Sequence, residues 1–151
     1  MEQRNTKINA LNYKYIVLSL IKHIQRNGLK ERLELIFKKS FSIIKKSLNK
    51  EPLVVLNRAL ENCKPFCEIK SVRISGSNYK VPVEISVKRQ KTLVCRWIFA
   101  NTLSRSKTTE LAANLANEII DTYNYSSKTI KLCEDFHKVA ESNKMYIRFY
   151  K

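Results

Sequence analysis

Strict two-residue alternation occurs in one stretch of this chain, and it limits the fold more than any other feature. Tyr79, Val81, Val83, Ile85 and Val87 alternate with Lys80, Pro82, Glu84, Ser86 and Lys88. That is the pattern of a β-strand, whose successive side chains point to opposite faces. Phe66 to Ile74, just before it, is β-branched and mixed, and Ser75-Gly76-Ser77-Asn78 supplies turn residues between the two. Pro82 has no N–H for a ladder bond, so its strand must expose an edge there. No third strand pattern is present, and a lone two-stranded ribbon is marginal in water. The expectation is a β-hairpin arm over residues 66–88 whose tip needs support from a partner.

Helical spacing fills the rest. Ile16, Val17, Leu20, Ile21 and Ile24 predict a helix over Tyr13 to Arg26, stopped by Asn27-Gly28. A second runs from about Lys30 to Leu48, with Leu33, Ile36, Phe37, Phe41 and Ile44 inward. A third opens at Glu51-Pro52, because proline suits a first helical turn, and ends before Pro65. Leu93, Val94, Trp97 and Ile98 mark a fourth from about Lys91 to Arg105. Ser106 or Thr108 can cap a fifth, carrying Leu111, Ala112, Leu115, Ala116 and Ile119. Ser126-Ser127 introduces a sixth using Ile130, Leu132, Phe136, Val139 and Ala140. A chain of 151 residues suits one domain. The predicted fold is mainly α: a single domain of about six helices with one protruding two-stranded hairpin.

Several functions are closed off. Gly28 and Gly76 are the only glycines, so no glycine-rich phosphate loop can exist. The longest stretch without Asp, Glu, Lys or Arg is Trp97 to Ser104, whereas a membrane span needs ~20 residues. Cys63 and Cys67 form a close pair, either half of a zinc site or two small apolar side chains in a reducing compartment. Cys95 and Cys133 stand alone, which favours the second. Glu134, Asp135 and His137 lie together, yet no partnered nucleophile accompanies them, so ion pairs on a polar helix face are expected. Neither enzymatic activity, a cofactor nor a metal is expected. The start of the chain shows neither a secretion signal nor an acid-free import pattern, since Glu2 comes at once.

Charge gives the positive argument. Lys plus Arg number 29 against 13 Asp plus Glu, a net of +16. Residues 64–107 hold ten cations and two acids; residues 35–50 hold five lysines and no acid; residues 110–121 hold three acids and no cation. Interspersed signs make a solvated face, whereas one-sign clusters raise local potential and recruit polyanions. Nucleic acid is the commonest polyanion to accompany such a domain. A membrane surface would need bulky apolar residues free to insert, and here the apolar stripes are needed for the core.

Certain blocks then become recognisable. They are Arg58-Ala59-Leu60-Glu61-Asn62-Cys63-Lys64-Pro65, Glu68-Ile69-Lys70-Ser71-Val72-Arg73, Gly76 to Glu84, Arg96-Trp97-Ile98, Leu115-Ala116-Asn117-Glu118 and Glu134 to Lys144. In this order and spacing they resemble the bacterial-type small-subunit ribosomal protein seven (the uS-seven family) over most of the chain. The resemblance implies six helices plus a ribbon arm, binding to head-domain small-subunit rRNA, and a part in assembling that head. It also implies neighbouring small-subunit proteins, with tRNA and mRNA near the exit site. Carried onto this chain, the rRNA-binding positions are Lys30, Arg73, Lys80, Lys88, Arg89, Lys91, Lys107, Lys128, Lys131, Lys138 and Lys144. The arm tip is Gly76, Asn78 and Tyr79, where Tyr79 either stacks on a base or supports the ribbon. The resemblance has gaps: most of the family's basic N-terminal extension has no counterpart, Leu132-Cys133 replaces a basic pair, and Val72 replaces a basic strand residue. The rivals are an architectural DNA-bending protein with a β-ribbon arm and an RNA-modifying enzyme. Lys, Asn and Ile total 48 residues against 21 for Gly, Ala, Pro and Arg. That AT-rich codon bias predicts a mitochondrial ribosome first, then a plastid or an AT-rich bacterium.

Overall fold

The computed structural model describes residues 17, 18, 20–22, 24, 25, 28–106 and 108–149. The elements are α1 (described at residues 17, 18, 20, 21, 22 and 24), α2 (Lys30–Leu48), α3 (Pro52–Asn62), β1 (Cys67–Ile74) and β2 (Ser77–Glu84). They continue with α4 (Val87–Arg105), α5 (Leu111–Tyr123), α6 (Lys128–Ser142) and a closing 3-10 helix (Lys144–Phe149). The mainly α fold with one antiparallel hairpin is therefore as expected.

Helix α5 is the centre of the body and packs against α2, α3 and α4. Its stripe Ala112, Leu115, Ala116 and Ile119 is buried. Around it lie Val17, Leu20, Ile21 and Ile24 of α1, Leu33, Phe37, Phe41 and Ile44 of α2, Val55, Leu56 and Ala59 of α3, and Val94, Cys95 and Ile98 of α4.

Gly28, at φ +74°, separates α1 from α2, and Pro52 stands in the first turn of α3. Ser127 caps α6 by accepting the Ile130 N–H at 3.2 Å. The expected cap of α5 is not used. Glu110 holds that position without a side-chain cap bond, and the turn is instead tied by Asn114, whose Nδ2 donates to the Ser106 carbonyl at 2.8 Å. On α6 the buried stripe is Thr129, Ile130, Cys133 and Ala140, whereas the predicted core residues Leu132 and Val139 are each 37% exposed. The stripe is rotated because α6 packs on α4, on β1 and on the 3-10 helix, not on one flat face.

All four cysteines are free. Burial pushes the thiols of Cys63 and Cys95 up to about 12, and it raises Cys67 and Cys133 as well. Thiolates are the reactive species, so a thiol reagent at neutral pH should modify the half-buried Cys67 first. Cys63 and Cys95 should react only on unfolding. Quick loss of all four thiols in native buffer, followed by mass spectrometry, would contradict this packing.

The hairpin pairs Cys67 with Glu84 at its root and Ile74 with Ser77 at its end. The turn is therefore two residues, Ser75 and Gly76, both at positive φ (48° and 87°). That is the type I′ geometry whose twist matches the strands, and Gly76 adopts it without strain. Ser77 and Asn78, expected in the turn, belong to β2. At the other end the alternation outruns the strand: β2 stops at Glu84, and Ser86 caps α4 by accepting the Arg89 N–H at 3.4 Å. The arm is thus 67–84 within the expected 66–88, and Lys88 lies in α4. The ribbon is also less isolated than expected. Val81 is fully buried, and Tyr79 packs on Tyr146 of the 3-10 helix with ring centroids 5.1 Å apart.

Candidate nucleic-acid interface

Residues directly opposite in an antiparallel pair share a face. The register puts Val72 with Tyr79 and Lys70 with Val81 on one face, and Arg73 with Asn78 and Ser71 with Lys80 on the other. The first face carries the buried Val81 and the Tyr79–Tyr146 contact, so it looks toward the body. The second is exposed at Ser71, Arg73, Asn78 and Lys80. Arg73 and Lys80 are diagonal neighbours there, roughly 7–8 Å apart at the backbone. Tyr79 therefore lies on the inner face, against Tyr146.

Seven ion pairs are present among the described residues, and they sort the cations into two groups. Lys30 meets Glu34 at 3.7 Å, Lys39 meets Glu110 at 2.8 Å and Lys138 meets Asp135 at 3.8 Å. Arg105 reaches both Glu118, at 3.0 Å, and Asp121. The cation-free run 110–121 is therefore matched from outside by Lys39 and Arg105. In the second group, Arg73, Lys80, Lys88, Lys91, Lys128, Lys131 and Lys144 are exposed and make no ion pair among the described residues. Lys107 lies outside the described residues.

Arg89 does not fit the predicted phosphate role simply. Its Nη2 and Nε donate to the two Glu68 oxygens at 2.7 and 3.1 Å, a two-point clamp from α4 to the root of β1. The Arg89 guanidinium holds the Glu68 carboxyl below its usual range, and the same pair raises Arg89. A depressed carboxylate pKa contributes stability above its unfolded value and loses it as pH falls through the folded value. Glu68→Gln should therefore flatten part of the acid-side fall in Tm; an unchanged pH profile would show the clamp to be idle.

Helices α3, α4, α5 and α6 have no acid in the first turn, and of these α4 and α6 begin with cations, Lys88 and Arg89 in α4 and Lys128 and Lys131 in α6. The positive end of the helix dipole disfavours cations and favours anions. At α4 Arg89 is offset by Glu68, whereas Lys88, Lys128 and Lys131 make no ion pair among the described residues.

Composition and period missed a further set of side chains. Phe66, Tyr125 and His137 line a cleft of about 610 Å³ at the root of the arm, with Gln90 and Glu134 also in its wall. Phe66 reads in sequence as the start of a strand, and Tyr125 as a loop residue. His137, expected on a polar face, accepts the Phe66 N–H at Nε2 (3.3 Å) and stacks on its ring, centroids 5.6 Å apart. Among the described residues, no group of three or more His, Cys, Asp and Glu stands together to hold a metal.

The ribosomal protein S7p/S5e family profile matches residues 1–144. The chain is 39% identical over 148 residues to small ribosomal subunit protein uS7 of Mycoplasma capricolum, covering 98% of this chain and 95% of that one. It is 43% identical over 134 residues to uS7 of Metamycoplasma arthritidis, covering 89% and 85%. With uS7 of Lactobacillus delbrueckii subsp. bulgaricus the figure is 38% over 134 residues, again covering 89% and 85%. Helical body, hairpin and sequence agree, and the chain belongs to the ribosomal protein S7p/S5e family, with a structural role in the small ribosomal subunit.

Proposed function

We propose that the protein binds small-subunit rRNA of the head domain as one unit, organises that domain during assembly, and directs its hairpin toward the exit-tRNA and mRNA path. The observation that carries this is the sorting of charge. Seven acids are paired within the fold, while Arg73 and Lys80 on the outward ribbon face, Lys88 and Lys91 of α4, and Lys128 and Lys131 of α6 make no ion pair among the described residues. Such cations suit phosphate oxygens and 2′-hydroxyls, because the deep groove of an RNA helix hides its base edges. The ribbon, backed by the 3-10 helix, reaches into a space between RNA elements. Neighbouring small-subunit proteins complete the environment. No catalytic step is assigned to the chain.

A filter-binding titration against a head-domain rRNA transcript tests this. Affinity should fall steeply with salt, with a logarithmic slope of about −0.7 to −0.9 per phosphate neutralised. Excess duplex DNA should compete poorly. Equal affinity for duplex DNA would instead favour an architectural DNA-bending protein. The relatives compared above are bacterial. Of the three compartments that the amino-acid bias fits, they support bacterial cytoplasm, and the expected mitochondrial ribosome gains nothing from them.

A further inference from the structure

We propose that the cleft at the root of the arm holds one unpaired nucleobase, stacked on Phe66. The inference rests on the RNA-binding function above and adds a contact that charge alone does not supply. Phe66, just before β1, is 74% exposed, although phenylalanine is among the residues most often buried. It is not loosely held: its N–H is bonded to His137, and its ring lies 26° from parallel with the imidazole. The imidazole contact leaves most of the Phe66 ring exposed. Across the cleft Tyr125 is 63% exposed at φ +61°, a conformation costly for any residue but glycine. Its hydroxyl donates to Asn62 Oδ1 at 2.7 Å, while Asn62 Nδ2 donates to the carbonyls of Thr122 and Tyr123. Two aromatic rings are thus fixed at the edges of one opening.

The walls suit a base better than an apolar side chain. Nε2 of His137 accepts a hydrogen bond, so in the neutral ring Nδ1 carries the proton, and that donor has no partner among the described residues. Gln90 and Glu134 add an amide and a carboxylate. An apolar occupant would leave all three unsatisfied, whereas a base edge offers both donors and acceptors. Gln90 comes from the first turns of α4, and Ile130 and Cys133 from the first turns of α6. The two lysine-bearing helix starts therefore bracket the cleft, where phosphates on either side of an inserted base would lie.

The test uses the full chain and the same rRNA transcript. Phe66→Ala should lower affinity by about 5- to 150-fold, as loss of one stacked base does, with the salt slope unchanged. Phe66→Trp should retain binding, and its emission should be quenched by RNA beyond the quenching seen with Trp97 alone. Circular dichroism of both variants should match the parent, since the ring is exposed. Wild-type affinity in Phe66→Ala, or no added quenching in Phe66→Trp, overturns the proposal while leaving rRNA binding intact. Unchanged RNA binding with lost co-assembly with ribosomal proteins also overturns it, and assigns the cleft to a protein side chain. A salt-insensitive parent would instead remove the RNA-binding function on which the proposal rests.

Discussion

Reversing both outward cations of the hairpin, Arg73→Glu with Lys80→Glu, is expected to weaken rRNA binding by about 10²–10⁴-fold at low salt. Each charge-assisted contact contributes roughly 1.5–3 kcal/mol, and the reversal also sets a carboxylate against phosphate. The salt slope should become shallower by about 1.4–1.8, for two phosphates no longer neutralised. The fold should survive, because both residues are exposed, share the outer face and make no ion pair among the described residues. The inner face of the ribbon, with Val81 and the Tyr79–Tyr146 contact, is untouched. Parental affinity in the double variant would remove the hairpin from the interface. Lost helical circular dichroism would show that the outer face carries structure and not contact.

The largest stability effect is expected at Glu118, which is 3% exposed. Its two oxygens accept from Arg105 Nη1 at 3.0 Å and from the Thr129 hydroxyl at 2.8 Å, and Thr129 in turn accepts from Asn101 Nδ2 at 2.8 Å. One carboxylate thus joins α4, α5 and α6. Glu118→Ala removes the acceptor and leaves the hydroxyl proton of the fully buried Thr129 with nothing to donate to. Breaking a buried pair by deleting one partner costs about 3 kcal/mol, or a Tm lower by about 6–12 °C at this chain length. Glu118→Gln, which keeps one of the two acceptor oxygens and the shape, should lose less. A urea midpoint unmoved by Glu118→Ala would mean that Asp121 alone satisfies Arg105 and that the network is not cooperative.

Much of this was legible before any coordinates. The helical repeats over Lys30 to Leu48 and in the third helix are close to the observed α2 and α3, because an apolar stripe at 3.6-residue spacing has one way to be buried. Alternation through Val87 located the ribbon, but it could not show that Ser86 would turn its hydroxyl to the Arg89 N–H and begin a helix. Capping and alternation compete locally, and periodicity registers only one of them. Leu132 and Val139 were misplaced for a similar reason: a pattern fixes that a stripe is buried, whereas packing partners on several sides fix its angle.

The candidate site divides along the same line. That cations cluster on the hairpin and beyond, and that they suit a polyanion, follows from residue order alone, since charge is written directly in side-chain identity. Pairing is not. Arg89 and Arg105 read in sequence like any other surplus cation, yet contacts across 21 and 13 residues join them to Glu68 and Glu118. The cleft of Phe66, Tyr125 and His137 is assembled from a strand root, a loop and a helix, up to 71 residues apart. The sequence determined the order of helices and hairpin and the sign of the charge each residue carries; only the tertiary structure decided where the hairpin ends, which charges cancel and which aromatic rings stand together, because these depend on approach between segments that no local repeat encodes.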